Sequence, residues 1–285
     1  MISTWCLFLL SEGLMLNCKS DFNWRKNMFI EKNFYMRSLK RTRKITIYVP
    51  DDYKTSNKQY PVLYINDGQN AFFDEESFMK VSWGFYDFVK SVNLDIIMVA
   101  IPCNFDLYKR EDEYGPWPIN KDILLMEYGD ENLKIGGEGD KYIHFIIDQL
   151  KPYIDNHFPT IKDDCAMVGS SMGGIITTYA AIKYGHIFKK TASLSSAYWF
   201  YIKEFCELID KNDLSSIECF YMDLGGNEGN GDGYISKIYY ESNEIIYNKL
   251  IEKSDKINVE FFEEACHNEE QWRQRVPIFM GLFYC

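Results

Sequence analysis

A serine flanked by glycines follows a short apolar segment near the middle of the chain. The letters G-S-S-M-G at 169–173 fit the pattern G-x-S-x-G, with Ser171 at its centre. This pattern predicts a nucleophile elbow, a tight strand-to-helix turn that needs small flanking residues and projects the serine hydroxyl above a sheet. An apolar segment at 164–168 precedes the serine, and a helical pattern at 174–184 follows it. Ser171 is therefore a candidate nucleophile, and a glycine-rich helix cap is the alternative interpretation.

A serine hydroxyl is a weak nucleophile, so a base must accept its proton. The chain has four histidines. His144 lies within a helical pattern, whereas His157 and His186 lie near predicted helix ends, where histidine often interacts with the helix dipole. His267 follows the last predicted strand, in a loop near the C-terminus. We therefore take His267 as the candidate base.

The acid of such a triad lies between the serine and the histidine in the chain when the serine occupies a strand–turn–helix elbow. Three carboxylates lie in or after the strand predicted at 219–224, namely Asp223, Glu228 and Asp232. Asp223 falls within the strand and is expected to point into the flank of the sheet. Glu228 lies in the loop at the carboxyl end of the strand, where a carboxylate can orient an imidazole. We favour Glu228, with Asp232 as the alternative acid.

Two backbone N–H groups are candidates for an oxyanion hole. One belongs to Met172, which follows the serine at the start of the predicted helix. The other belongs to Gln69, in the loop D-G-Q-N at 67–70 that follows another predicted strand. The glycine in this loop allows a close approach of the backbone to a substrate. By itself the loop is typical of an ordinary turn, so its position after the strand is the informative feature.

The elements that must position these residues alternate between strands and helices. Short apolar segments predict strands at 43–49, 61–66, 95–102, 164–169, 190–194, 219–224 and 258–263, and helical spacing predicts helices at 142–157, 174–184 and 241–253. This alternation predicts an α/β fold with a mostly parallel central sheet and helices on both faces. In such sheets ligands bind at the carboxyl ends of the strands, where the candidate residues lie.

Composition and charge restrict the class of protein. The 285 residues are 46% hydrophobic and 16% aromatic, which excludes global disorder. No apolar segment reaches the roughly 18 residues that a membrane-spanning helix needs. A net charge of −11 disfavours a nucleic acid or an anionic membrane surface as partner, since phosphate neutralisation needs a basic face.

The cysteines and the N-terminus bear on location and domain organisation. Eight cysteines occur without C-x-x-C spacing, several in apolar segments, and we interpret them as reduced. Reduced thiols favour the cytoplasm. The first residues are apolar from Trp5 to Leu10, but they lack a basic start and Ser11 interrupts them, which disfavours a signal peptide. We predict an N-terminal extension of uncertain structure over 1–35 and one catalytic domain over 36–285.

Two aromatic segments at strand ends are candidates for the walls of a substrate pocket. Their alternative role is packing against helices. The substrate-binding candidates from these segments and from the neighbouring loops are Asp67, Asn70, Arg110, Tyr114, Trp117, Tyr198, Trp199 and Trp272. Arg110 could meet an anionic or polyhydroxylated leaving group. No segment has the composition of a lid or of a broad exposed apolar surface, so we expect small soluble or sugar-linked esters rather than lipid interfaces.

Four motifs in this order resemble those of the putative-esterase family of α/β-hydrolases, which groups esterase D, enterochelin-esterase-like and feruloyl-esterase-like enzymes. They are N-D-G-Q-N at 66–70, G-G-E-G-D at 136–140, G-S-S-M-G-G at 169–174 and H-N-E-E-Q-W-R at 267–273. The similarity extends from about Ile45 to Pro277. An ordered set of four motifs is far more specific than any one of them.

The resemblance implies a serine carboxylesterase with Ser171 as nucleophile, His267 as base, and Gln69 and Met172 as oxyanion donors. It implies neither a metal nor an organic cofactor, and it implies a small-molecule ester as the partner. The resemblance assigns the acid of the triad least directly, because members of the family differ in the position of this residue. An acyltransferase with the same triad, a siderophore-ester hydrolase, a non-catalytic binding protein and a homodimer remain open at this stage.

Overall fold

The computed structural model describes residues 28–284, which form an eight-stranded sheet in the order β1-β2-β4-β3-β5-β6-β7-β8. The strands are β1 Phe29–Met36, β2 Arg41–Tyr48, β3 Tyr60–Asn66, β4 Ile97–Ile101, β5 Thr160–Ser170, β6 Lys190–Leu194, β7 Cys219–Asn227 and β8 Ile257–Cys266. β1 and β2 are antiparallel to their neighbours, and β3 to β8 run parallel. The mostly parallel α/β fold predicted from the sequence is confirmed.

Helices cover both faces of this sheet. They are α1 Phe85–Ser91, α2 Lys109–Tyr114, α3 Lys121–Tyr128, α4 Gly139–Phe145, α5 Lys151–His157, α6 Met172–Tyr184, α7 Ile202–Lys211, α8 Gly233–Ile251 and α9 Glu269–Tyr284. A π-helical turn at Ile146–Leu150 joins α4 to α5. Short 3₁₀ turns at Gly68–Asn70 and Tyr198–Phe200 follow β3 and β6.

The alternation of side chains along a strand divides the core into two layers. On β3, Val62 and Tyr64 belong to the layer that contains α4 to α8, whereas Leu63 and Ile65 belong to the layer with α1 and α9. All four side chains are almost fully buried. Strands that bury both faces have continuous apolar sequences, which explains why β3 and β4 were recognisable without two-residue periodicity.

The predicted elements are present with different ends, and some elements were not predicted. The predicted strands correspond to β2 through β8, and the helix predicted at 241–253 begins earlier, at Gly233. The elements that were not predicted are β1 and the helices α1, α2, α3, α7 and α9. β1 was missed because it carries polar residues at several positions that face solvent. β1 pairs with β2 along its whole length, so the sheet begins before the predicted domain boundary at residue 36. The apolar segment from Trp5 to Leu10 lies outside the described residues.

Two further properties concern the part of the chain that the structure describes. There, no helix combines the length and the apolar character needed to cross a bilayer. Five cysteines in this part have free thiols, namely Cys103, Cys165, Cys206, Cys219 and Cys266.

Candidate active site

Ser171 occupies the turn between β5 and α6 in a backbone conformation that side chains rarely adopt. Its φ and ψ are 56° and −121°. Hydrogen bonds hold the turn: the Ser171 N–H donates to the Leu194 carbonyl at 2.9 Å, and the Ser171 carbonyl accepts from the N–H of Gly174 at 3.1 Å. Strain of this kind persists only where the surrounding structure stabilises it, and it is typical of a nucleophile elbow.

Gly169 makes this elbow sterically feasible. A Cβ atom at Gly169 would lie 2.2 Å from the carbonyl oxygen of Gly173, which belongs to the backbone of α6. Such a contact is far shorter than any that real Cβ atoms make, and backbone cannot move aside as the tip of a flexible side chain can. The glycine is thus required by the close approach of helix to strand.

We expect Gly169→Ala to lower the free energy of unfolding by about 1–3 kcal/mol, as overpacking typically does, and to displace Ser171. Chemical denaturation measures the first effect, and labelling of the serine by a fluorophosphonate measures the second. Gly281→Ala in α9 is the matched control, because nothing lies within 4 Å of its added Cβ atom. Equal stability and equal labelling of the two variants would contradict the steric argument.

His267 follows the last residue of β8, and a buried carboxylate holds its ring. The Nδ1 atom of His267 lies 2.6 Å from Oε2 of Glu228, whose side chain is fully buried. The other oxygen of Glu228 accepts from the N–H of Gly225 at 2.5 Å, and the N–H of His267 donates to Asn230 Oδ1 at 3.2 Å. When Nδ1 carries the proton and donates this hydrogen bond to Glu228, Nε2 is unprotonated and can accept a proton. This is the tautomer that a general base needs.

Two aromatic rings pack against this imidazole. The Trp272 ring lies edge-on at a centroid distance of 4.9 Å, and the Tyr239 ring lies at 5.1 Å. The indole N–H of Trp272 donates to Ser195 Oγ at 3.0 Å. The ring of His267 is therefore restricted on two sides as well as at Nδ1.

Tyr239 is a site residue that the sequence did not reveal. Burial raises the pKa of its phenol to about 12, and the nearby Ser171 side chain acts in the opposite direction. Tyr239 thus lies close to the candidate nucleophile as well as against the candidate base. It lies in α8 before the start that we predicted for this helix, among other tyrosines, and nothing in the sequence distinguishes it from them.

The other two candidate acids have different partners. Asp223 accepts from Arg275 Nη1 at 2.6 Å, and both side chains are buried. Burial raises the pKa of Asp223 to about 6, although Arg275 counteracts the shift. Asp232 caps α8 by accepting from the N–H groups of Tyr234 and Ile235. Neither carboxylate contacts His267 in the part of the chain described.

The loop after β3 contains the other predicted oxyanion donor. Asp67 adopts a left-handed conformation with φ of 52°, and a Cβ atom at Gly68 would lie 2.2 Å from the backbone nitrogen of Ile101. Gln69 follows in the first turn of a 3₁₀ helix, and its Oε1 accepts from the N–H of Cys103 at 3.1 Å. Met172 is the first residue of α6. The N–H groups in the first turn of a helix lack intrahelical acceptors, so both can bind an oxyanion.

Three of the predicted substrate-binding side chains bind other protein groups instead of projecting free donors or acceptors. Arg110 forms a two-pronged ion pair with Asp67, at 2.9 and 2.8 Å. Asn70 Oδ1 accepts from the Ser77 hydroxyl and the Phe78 N–H, and its Nδ2 donates to Glu269 at 3.3 Å. Arg110 lines the cavity, as predicted for a substrate-binding residue, but its charge is already paired with Asp67, which disfavours the predicted contact with an anionic leaving group.

Four predicted aromatic wall residues lie in the core or pack on helices. The Tyr114 hydroxyl accepts from the N–H of Asp67 at 2.8 Å, and the Tyr198 hydroxyl lies 2.5 Å from Thr178 Oγ1. Trp117 packs edge-on against Phe205, and Trp199 stacks on its neighbour Phe200. None of these four residues is among those that line the cavity around Ser171, which corrects the expectation that they form its walls. The physical reason is that large aromatic rings are more stable when they are buried against other apolar groups.

A cavity of about 380 Å³ at the carboxyl end of the sheet contains the candidate groups. Its walls include Asp67, Gln69, Asn70, Arg110, Ser171, His267, Glu269 and Trp272. Burial raises the pKa of the Glu269 carboxyl, which lies at the start of α9. The candidate nucleophile, the candidate base and Gln69 line this cavity, and Met172 directly follows Ser171 in the chain. Together with the carboxylate that holds the base, these groups have the composition required for acyl transfer.

Comparison with known proteins agrees with this composition. The family model described as "Putative esterase" matches residues 36–278. A protein of Bacillus subtilis (strain 168), "Uncharacterized protein YbbA", is 25% identical over 234 residues, which cover 80% of this chain and 87% of that protein. "Esterase Rv1288" of Mycobacterium tuberculosis is 29% identical over 188 residues, 64% of this chain, and the match spans only 34% of that longer protein.

Among solved structures, an IroE-like serine hydrolase from Shewanella oneidensis has a TM-score of 0.71. It is 20% identical in sequence, and the match covers 90% of this chain and 80% of that one. At this level of identity the likeness establishes that the two chains share a fold.

Proposed function

The chain belongs to the putative esterase family of ester hydrolases, and we propose that it hydrolyses small soluble or sugar-linked acyl esters through Ser171, His267 and Glu228. The observation that carries this proposal is the 2.6 Å contact between His267 and the buried Glu228, in the cavity lined by the strained Ser171. An orienting carboxylate, an imidazole and an elbow serine together are the components of a serine-hydrolase triad.

In the first half of the reaction, Ser171 Oγ forms a bond to the ester carbonyl carbon while Nε2 of His267 accepts the hydroxyl proton. The negative charge on the carbonyl oxygen is stabilised by the N–H groups of Gln69 and Met172. Collapse of this intermediate breaks the bond to the alcohol, which leaves with the proton from His267. The product is an acyl-enzyme on Ser171.

In the second half, His267 removes a proton from water, and the resulting oxygen nucleophile attacks the acyl carbon. The second tetrahedral intermediate releases the carboxylic acid and returns the proton to Ser171. The Glu228 carboxylate accepts from Nδ1 of His267 and stabilises the imidazolium in both halves. The Tyr239 phenol, which lies near Ser171, remains protonated at neutral pH, since its pKa is raised to about 12.

A fluorophosphonate probe tests the proposed nucleophile without knowledge of the natural ester. We expect a single phosphonyl adduct on the peptide that contains Ser171, identified by mass spectrometry, and prior denaturation should abolish it. Labelling of a different residue would refute the assignment of Ser171. No labelling of the folded protein would refute the proposal and favour a non-catalytic binding protein.

Product analysis separates hydrolysis from acyl transfer to an alcohol. With a sugar alcohol added, we expect the free acid to remain the main product. Predominant transfer to the added alcohol would identify an acyltransferase, and a strong preference for catecholate siderophore esters in an ester panel would identify a siderophore-ester hydrolase.

A further inference from the structure

Four large apolar side chains at the mouth of the catalytic cavity are exposed to solvent. Phe78 and Met79 are 70% and 57% exposed, and Phe105 and Leu107 are 60% and 83% exposed. All four line the cavity that contains Ser171. We refer to these four residues as the apolar rim. Exposed apolar groups that converge on one place usually mark a binding surface.

The rim comes from two separate loops, one between β3 and α1 and the other between β4 and α2. No single segment therefore has the composition of an apolar surface. This explains why the sequence analysis, which considered single segments, did not reveal this surface. The rim exists only because the carboxyl ends of β3 and β4 are neighbours in the sheet.

Hydrogen bonds from the interior hold the first loop in place. Asn70, which is buried, accepts from the N–H of Phe78 at 3.0 Å and from the Ser77 hydroxyl at 3.1 Å. Farther along, Arg273 in α9 donates to the Ser82 carbonyl at 2.6 Å. A loop anchored at several points by buried or partly buried groups presents Phe78 outward as part of its folded structure.

The second loop presents Leu107 from an unfavourable backbone conformation. The φ of Leu107 is 41°, in the left-handed region that side chains other than glycine, asparagine and aspartate seldom adopt. Neighbouring hydrogen bonds stabilise the turn, from the N–H of Asp106 to Asn104 Oδ1 and from the N–H of Lys109 to the Asp106 carbonyl. The folded protein thus keeps Leu107, the most exposed leucine among the described residues, in a strained turn at the cavity.

The polar groups deeper in the cavity are, in contrast, largely occupied by one another. Asp67 and Arg110 form a two-pronged ion pair, and Asn70 uses both ends of its amide within the protein. These three side chains are therefore not free to recognise the hydroxyl groups of a sugar, although Glu111 Oε2 in the same lining has no hydrogen-bond partner among the described residues. The exposed surface at the mouth, as far as the described residues show it, is the apolar rim, which suits an apolar part of the substrate.

We propose that the apolar rim binds the hydrocarbon chain of a medium-length acyl group, so that the preferred substrates are monomeric esters of acids with roughly six to eight carbons. This inference rests on the proposed function and names its substrate class. An acetyl group on Ser171 offers only one methyl group to an apolar surface, so it gains little from contact with the rim. Each methylene that leaves water on an apolar surface improves binding up to about fourfold, so chain length has a large effect.

The test compares p-nitrophenyl octanoate with p-nitrophenyl acetate, with octanoate kept below the concentration at which it aggregates. The measured quantity is the octanoate-to-acetate ratio of kcat/KM. For the unmodified protein we expect a ratio above about 10. Phe78→Ser and Leu107→Ser should each lower this ratio about fivefold to tenfold, because each removes apolar surface from the chain-binding site.

Phe261→Ser and Leu282→Ser are the matched controls, since these side chains are 51% and 47% exposed and lie away from the cavity. We expect them to keep the ratio of the unmodified protein, and all four variants should unfold at similar temperatures. Thermal unfolding thus separates a lost contact from a damaged fold.

Three results would overturn the role of the rim while leaving the proposed function intact. They are acetate hydrolysis without any preference for the longer chain, equal ratios in rim and control variants, and a preference that appears only with aggregated substrate or vesicles. The last result would indicate docking on a lipid surface. Failure to hydrolyse either ester, together with no fluorophosphonate adduct on Ser171, would overturn both the proposed function and the role of the rim.

Discussion

Replacement of Ser171 by alanine should lower kcat/KM for short p-nitrophenyl esters by about 10⁴- to 10⁶-fold. Without Oγ no acyl-enzyme forms, and the only remaining rate enhancement comes from substrate binding and the oxyanion donors. Alanine removes one atom from a side chain at the cavity surface, so we expect the thermal unfolding midpoint to change little. Steady-state hydrolysis and a thermal melt of the same preparation measure both quantities.

Ser170→Ala is the matched control for this prediction. Ser170 is the last residue of β5, directly before Ser171, and it is 1% exposed. We expect this variant to retain activity within about tenfold, because the turn projects only the central serine. Retained activity in Ser171→Ala, or equal losses in the two variants, would refute the assignment of the nucleophile.

Replacement of Glu228 by glutamine should lower kcat by about 10³- to 10⁴-fold. A glutamine amide can still accept from the N–H of Gly225, but it carries no charge to stabilise the imidazolium of His267. It can also favour the wrong imidazole tautomer by donating to Nδ1. Fluorophosphonate labelling should slow in proportion, since the same base activates Ser171.

Asp232→Asn provides the comparison, because Asp232 was the alternative acid in the sequence. Asparagine caps helices about as well as aspartate, so the N-terminus of α8 should be preserved. We therefore expect this variant to keep most of its activity. A collapse of activity in Asp232→Asn with near-normal activity in Glu228→Gln would reverse the assignment of the acid.

The misplaced substrate-binding residues show where a sequence pattern misleads. Tyr114 and Tyr198 follow strands whose ends do face the cavity, yet their side chains are fully buried and hydrogen-bonded within the core. Position in the chain indicates which end of the sheet a residue occupies. It does not indicate whether its side chain points into the cavity or beneath it, because that depends on the path of the loop.

Arg110 illustrates the same limit for charge. The sequence shows a cation in a loop beside the expected site, and a free cation favours anionic ligands. In the folded chain its guanidinium pairs with Asp67, which lies 43 positions away in the sequence. Only the packing of two loops brings these groups together, and the pairing changes the substrate that the cavity is expected to prefer.

By itself, the sequence determined seven of the eight described strands, the helices that follow β5 and β7, and the position of the elbow serine. These features are local: apolar segments and helical spacing act over ten residues or so, and the turn around Ser171 needs its glycines within two residues on either side. The tertiary structure alone decided that Glu228 lies against His267 and that Tyr239 lies close to both His267 and Ser171. It also decided that the apolar rim lies at the mouth of the cavity. These contacts join residues from separate strand ends and loops, and their distances depend on how the whole sheet aligns, which no local pattern encodes.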